Sequence, residues 1–139
     1  MGVDISARAL EAAQCNARAH GLDTRYHTLC SSWFEKVRGQ FDLIVSNPPY
    51  IASAVIEDLD IDVRDHDPRI ALDGGYDGLN AYGVIAAKAA PYLKKGGRIA
   101  VEIGFDQKMS VSKLFEAAGF VQISAANDLN GLNRALIFE

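Results

Sequence analysis

An asparagine, two prolines and a tyrosine follow one another at Asn47, Pro48, Pro49 and Tyr50, and the chemistry open to such a run is acceptance of hydrogen bonds from an –NH2 group. Proline drives the residue before it toward extended conformations and has no N–H of its own. Asn47 and Pro48 are therefore both held out of the helical region, in a stiff backbone rich in acceptors. The Asn47 side-chain oxygen and the Pro48 carbonyl together suit the two hydrogens of a planar amide or exocyclic amine. The nitrogen of such a group is a poor nucleophile because its lone pair is delocalised. Acceptors that hold it more tightly as positive charge develops lower the barrier to attack on an electrophile, and no strong base is required. Tyr50 is expected to pack over the substrate. An isolated N-P-P reads equally well as a plain turn that ends a strand; an apolar run before it and a Tyr after it favour the acceptor site.

That run, FDLIVS at Phe41 to Ser46, reads as a buried parallel strand, and ligands of open α/β sheets sit beyond the carboxyl ends of such strands. The rest of the chain alternates in the same way, which predicts an α/β fold with a mainly parallel sheet in a single domain over 1–139. Gly2 to Ile5 reads as a short strand. Ser6 caps a helix whose Leu10, Ala13 and Ala17 share a face and which stops at Gly21. Tyr26 to Cys30 is a second strand. Residues 51–78, rich in Asp, Pro and Gly, exceed the usual loop length of a compact domain and read as a lid or a disordered segment. A helix over 79–93, a turn at LKKGG and a strand over Arg98 to Ile103 follow. A helix from about Ser110 carries Leu114, Phe115 and Ala118 to a stop at Gly119. Strands over Val121 to Ala126 and Arg134 to Phe138, joined by DLNGLN, suit an antiparallel hairpin.

Bulk properties exclude several roles. Lys and Arg total 14 against 18 Asp and Glu, a net charge of −4, and no basic patch stands out, so direct nucleic-acid binding is not expected. No apolar run approaches the roughly 20 residues of a transmembrane helix and no signal pattern opens the chain, which predicts a cytoplasmic protein with no membrane contact. Cys15 and Cys30 are too few and too far apart for a metal knuckle or a disulfide framework, and read as reduced, packed thiols. Asp58, Asp60, Asp62, Asp65 and Asp67 fit no EF-hand spacing and read as a solvated acidic lid. His20, His27 and His66 form no metal-binding pair.

NPPY at a strand end resembles motif IV of the class I S-adenosylmethionine-dependent amino methyltransferases, whose sheet is Rossmann-like. The longer pattern, SNPPYI with VRDHDPRIALDGGYDGLNAY and RIAVEIGFDQ, resembles the HemK/PrmC protein-(glutamine-N5) methyltransferases over nearly the whole chain. That resemblance implies S-adenosyl-L-methionine as cofactor and, as protein partner, a peptide-chain release factor methylated on the glutamine of its GGQ loop. It implies an amide site at Asn47, Pro48, Pro49 and Tyr50, with Asn47 also beside the cofactor. Asp4, at the end of a Rossmann-type strand, becomes the acid that binds the ribose hydroxyls, although alone it reads as a charge at a helix start. Ser32 stands where the family has an Asp beside the adenine, and Trp33 keeps the aromatic position there. Arg69 and GGYDG match the family's lid, and Glu102 lines the pocket or caps its strand.

The glycine-rich E/D-x-G-x-G-x-G loop that precedes the VDIS strand in the family has no counterpart here, so the domain reads as truncated at its N-terminus. In the family's sheet the missing strand lies between those of VDIS and FDLIVS. Its loss predicts that these two pair directly or that a second copy of the chain fills the gap. Two other functions stay open: a catalytically incompetent remnant of the fold, and an adenine-N6 nucleic-acid methyltransferase, which needs a basic groove.

Overall fold

Ser6 sets the pattern of the first elements. Its hydroxyl accepts the Ala9 N–H at 3.2 Å, and helix α1 runs Ala7–Ala19 with Leu10 and Ala17 buried. Gly21, at φ 65°, makes the left-handed stop. Strand β1, Gly2–Asp4, pairs in parallel with β2, Thr28–Cys30. In the computed structural model, which describes residues 1–139, these elements form a first compact unit, Met1–Gly39, and the remainder forms a second, Gln40–Glu139. Both cysteines are free and exposed, which corrects the expectation of packed thiols. Cys15 lies on the polar face of α1, and Cys30 ends its strand.

The second unit is a four-stranded sheet in the order β3-β4-β6-β5: β3 is Phe41–Ser46, β4 Leu93–Glu102, β5 Gln122–Asn127 and β6 Asn133–Phe138. β3 and β4 are parallel. β6 turns back between β4 and β5 and is antiparallel to both, so the expected hairpin forms and half of the four pairings in the molecule are antiparallel. LKKGG is not a free turn. It enters β4 as a bulge, because Phe41 pairs with Leu93 but Leu43 pairs with Arg98, and Gly96 at φ 74° provides the extra bend. Helix α4 spans Asn80–Lys88 and a 3-10 turn takes over at Ala90–Tyr92, since Pro91 disfavours helix at the residue before it. Helix α5 spans Lys108–Ala117.

The core of this unit gathers Ile99, Val101 and Ile103 from β4 and its end, Leu136 and Phe138 from β6, Val111 and Phe115 from α5, and Tyr82 and Ile85 from α4. Phe115 stacks on Phe138 with ring centroids 4.2 Å apart. Burying an aromatic ring of that size contributes about 2–3 kcal/mol.

Two expectations need correction. β3 is not a buried strand: it lies at the sheet edge, and Leu43 and Val45, which share one face of the strand, are 53% and 70% exposed because that face is uncovered. VDIS and FDLIVS do not pair with each other either, since β1 hydrogen-bonds to β2 and β3 to β4. The segment 51–78 is structured throughout: a 3-10 turn at Ile56–Asp58, helix α2 at Ile61–His66 and helix α3 at Arg69–Leu72. Asp60 caps α2 by accepting the Asp62 N–H. No helix is long and apolar enough to cross a membrane.

Candidate functional site

Asn47 stands just past the carboxyl end of β3 with an exposed side chain, Pro48 behind it is buried, and Pro49 and Tyr50 are half-buried. The run thus anchors itself through Pro48 while presenting the Asn47 amide. A cleft of about 330 Å³ opens here, lined by Asn47, Pro48, Tyr50 and Ile51 on one side and by Asp67, Pro68, Ala71 and Leu72 on the other. The second wall is the lid. Ile51 joins it by a parallel bridge to Asp73, with the Ile51 N–H donating to the Leu72 carbonyl at 3.0 Å and the Gly74 N–H to the Ile51 carbonyl at 2.8 Å. The lid therefore continues from the acceptor run as a short backbone ladder.

Charged groups brace the lid. Arg69 bonds Glu57 at 2.8 Å and lies 3.6 Å from Asp73. The Ser53 hydroxyl donates to Asp73 at 2.6 Å and the Gly75 N–H donates to the same oxygen at 2.9 Å. The Ser53 hydroxyl first, and then the Gly75 N–H, hold the Asp73 carboxyl below the usual carboxylate range. Arg69 was expected from its motif; Ser53 and Asp73 were not, because nothing in their spacing marks a hydroxyl–carboxylate pair 20 residues apart.

Behind Tyr50 lies a second set of polar groups. Its hydroxyl sits 3.5 Å from both Glu102 and Arg134. Arg134 is held by Asp128 at 3.2 Å and by the Ile103 carbonyl at 3.4 Å. The Leu132 N–H and then the Arg134 guanidinium keep the Asp128 carboxyl below its ordinary value. Glu102 thus stands behind Tyr50 and is not one of the residues that line the cleft. Gln107 makes three bonds: its Nε2 donates to the Tyr50 carbonyl at 2.9 Å and the Gly78 carbonyl at 3.4 Å, and its Oε1 accepts the Gly104 N–H at 3.0 Å; the Tyr82 hydroxyl lies 3.4 Å from that oxygen but gives its one hydrogen to the Glu102 carbonyl at 2.9 Å. Burial pushes the Tyr82 hydroxyl well above the usual phenol range, so it remains a donor. Gly78, at φ 74°, lies so close that a Cβ there would collide with the Tyr50 carbonyl. Of these residues, Gln107 ends the motif RIAVEIGFDQ and was within reach of sequence reading; Asp128 and Arg134 lie in a hairpin that carries no motif.

The first unit holds the other expected residues. Asp4 is exposed at the end of β1, and its Oδ1 accepts the Ser6 N–H at 2.7 Å. The second carboxylate oxygen is left for hydroxyl donors of a ligand. The adjacent end of β2 is tied to it by the Ser31 N–H, which donates to the Asp4 carbonyl at 3.0 Å. Ser32 and Trp33, both half-buried, follow directly. Trp33 has φ 49°, a left-handed backbone that costs a non-glycine residue about 1–2 kcal/mol and is found mostly where function demands it. An acid, a hydroxyl and an indole at one end of a parallel strand pair suit a ribose and a purine. No three His, Cys, Asp or Glu side chains gather into a metal-sized cluster. The lid carboxylates are instead spread over a cap at Asp60, an ion pair at Asp65 and the cleft wall at Asp67.

Comparison with known proteins agrees with this arrangement. The model of the Methyltransferase small domain family matches residues 1–62. A release factor glutamine methyltransferase of Agrobacterium fabrum is 52% identical over 99% of this chain and 48% of its own length. Its namesake from Caulobacter vibrioides is 45% identical over 99% of this chain and 48% of its own. Among solved structures, a methyltransferase from Pyrococcus furiosus superposes with a TM-score of 0.69 at 17% identity, covering 98% of this chain and 59% of that one, which establishes the α/β methyltransferase fold. The chain spans about half the length of the curated relatives it matches. Over that span the chain is similar to release factor glutamine methyltransferases along 99% of its own length.

Proposed function

We propose that the chain carries the cofactor-binding and amide-binding residues of an S-adenosyl-L-methionine-dependent N5-methyltransferase, acting in the cytoplasm on the glutamine side chain of the GGQ loop of a peptide-chain release factor. One observation carries the reading: an exposed Asn47 and the Pro48 that follows it border a cleft of about 330 Å³, roomy enough to admit a glutamine side chain. The names and identities of the relatives support the substrate.

S-adenosylmethionine, when bound, supplies an electrophilic methyl group. In the first unit Asp4 takes the ribose hydroxyls, and Ser32 and Trp33 the adenine. In the second, the Asn47 Oδ1 and the Pro48 carbonyl accept the two amide hydrogens and orient the nitrogen lone pair for attack. The two acceptors would hold the amide nitrogen more tightly as it gained the methyl group and positive charge while the methyl–sulfur bond broke to leave a neutral thioether, which is where the barrier would fall. The surplus proton leaves for water. Tyr50, Ile51, Ala71 and Leu72 line the cleft with apolar surface that keeps competing water away from the amide.

Two assays test this. Calorimetric titration with S-adenosylmethionine is expected to show micromolar binding, and a release factor with its GGQ loop is expected to gain one methyl group on glutamine. Absence of any cofactor affinity supports instead the incompetent remnant of the fold; methylation of adenine in DNA supports a nucleic-acid enzyme.

A further inference from the structure

We propose that Gln107 is the positioning residue of the acceptor run, acting through the backbone of Tyr50; the proposal rests on the methyl-transfer reading above. Its side-chain amide has two donor hydrogens and two acceptor sites: both hydrogens are in use on the Tyr50 and Gly78 carbonyls and the oxygen accepts the Gly104 N–H, while the Tyr82 hydroxyl packs 3.4 Å from that oxygen and donates to the Glu102 carbonyl at 2.9 Å. The clamp therefore ties together three chain segments that are far apart in sequence: the acceptor run, the turn that leads into helix α4, Asn80–Lys88, and the end of β4.

The connection from the clamp to the reacting group is stiff. Pro48 and Pro49 each have φ fixed by the ring, so the segment from the Pro48 carbonyl to the Tyr50 carbonyl has few soft torsions. Holding the second carbonyl holds the first. The next residue adds a further restraint, since Ile51 is bonded through both its N–H and its carbonyl to the lid. The space at Gly78 is an independent sign of how tightly the clamp is closed: a Cβ there would meet both the Tyr50 carbonyl and the Gln107 nitrogen. Gln107 itself is not among the residues that line the cleft, so it acts by orientation and not by contact with substrate. A misplacement of about 1 Å in a reacting group costs roughly a hundredfold in rate, and a displaced Pro48 carbonyl is a misplacement of that kind.

The test uses two variants of the full chain. In Gln107→Glu the carboxylate still accepts the Gly104 N–H but has no hydrogen for Tyr50 or Gly78; Gln107→Ala removes every bond. Amide hydrogen exchange is read first. In the Glu variant, exchange at Ile51 and Ser53 is expected to accelerate at least about tenfold, while the Gly104 amide keeps its protection; in the Ala variant all three accelerate. Turnover on the GGQ-containing release factor follows: kcat is expected to fall about a hundredfold in the Glu variant, with KM for the release factor and Kd for the cofactor within about threefold of the parent. Unchanged exchange at Ile51 and Ser53 overturns the clamp, and so does near-normal kcat in the Glu variant. Uniform acceleration at all sites together with a matching loss of thermal stability also overturns it, because that is the signature of a merely structural contact. A parent chain that transfers no methyl group refutes the function, and the exchange measurement still decides whether Gln107 holds the acceptor run.

Discussion

The two ends of strands expected to meet ligands are held very differently. In the first unit Asp4 closes a three-residue strand paired on one side only, its carboxylate bound to a single backbone N–H two residues away. In the second, the acceptor run at Asn47 to Tyr50 is fixed by two prolines, a ladder to the lid at Ile51, a three-bond glutamine and a phenol between an acid and a guanidinium. The difference matches the demands of the two tasks. Binding a ribose needs a charge and two acceptors within reach, and local adjustment of the side chain is harmless. Guiding a weakly nucleophilic nitrogen needs its acceptors held to within a fraction of an ångström, and only many restraints from separate segments achieve that.

The sharpest way to break the comparison is to remove the acceptor itself. Asn47→Ala is expected to lower kcat by about 10²–10³-fold, the usual cost of one acceptor or donor aimed at developing charge, while cofactor affinity measured by calorimetry stays within about twofold. Near-normal turnover would show that the exposed Asn47 amide does not take part in the chemistry.

Glycines give the next contrast, in stability. Gly78 sits at φ 74° with the Tyr50 carbonyl and the Gln107 amide in the place of a Cβ, whereas Gly21, at φ 65°, has open space around it. Gly21→Ala carries only the left-handed backbone penalty, about 1 kcal/mol. Gly78→Ala adds a steric clash against backbone, which brings the expected loss to about 3 kcal/mol. Denaturant midpoints of the two variants check the ordering; equal losses would mean that the second unit yields as easily as the first.

Acid should loosen the second unit's site in a predictable window. The Asp73 carboxyl is held below its unfolded value of 3.8, first by Ser53 and then by the Gly75 N–H. Its contribution is therefore complete above about pH 4–5 and is lost as the pH falls through its lower folded value. The unfolding midpoint of the lid, followed by exchange at Ser53, is expected to decline below about pH 4, and Asp73→Asn to flatten that decline. An identical acid profile in the variant would remove Asp73 from the account.

These contrasts also show what a linear sequence discloses. β3 was legible at Phe41–Ser46 because a run of apolar residues ends at two prolines, and the cap at Ser6 and the stop at Gly21 were legible because each is a local rule of backbone geometry. The edge position of β3 was not: an apolar run reads as buried, and which strands flank it is decided by non-local pairing. The short helices within the lid were not legible for a related reason. Its Asp and Pro residues look like loop composition, yet Asp60 works as a helix cap and Pro68 precedes α3 as its N-cap. At the site, Asn47 and Tyr50 announce themselves by type and spacing, while Asp128 and Arg134 are ordinary surface residues until β6 folds back beside β4 and brings the guanidinium to the Tyr50 hydroxyl.

The smallest expected effect separates two roles that Asp4 plays through different oxygens. Its Oδ1 accepts the Ser6 N–H at 2.7 Å, a local bond at the start of α1, and its second oxygen is the one assigned to a ribose hydroxyl. Asn at this position keeps an acceptor for Ser6 but loses the charge and replaces the second acceptor with a donor. If the local bond were all that Asp4 contributes, Asp4→Asn would be nearly silent, since Asn serves about as well as Asp near helix starts. If the second oxygen binds the cofactor, a charge-assisted hydrogen bond is lost and affinity for S-adenosylmethionine falls about tenfold. We expect the second result with the thermal midpoint unchanged, read in one titration and one melt of the same sample. The melt is followed by the fluorescence of Trp33, the single tryptophan of the chain, which reports on the first unit alone. A shifted melt with normal cofactor affinity would reverse the assignment and leave Asp4 as a helix-start residue only.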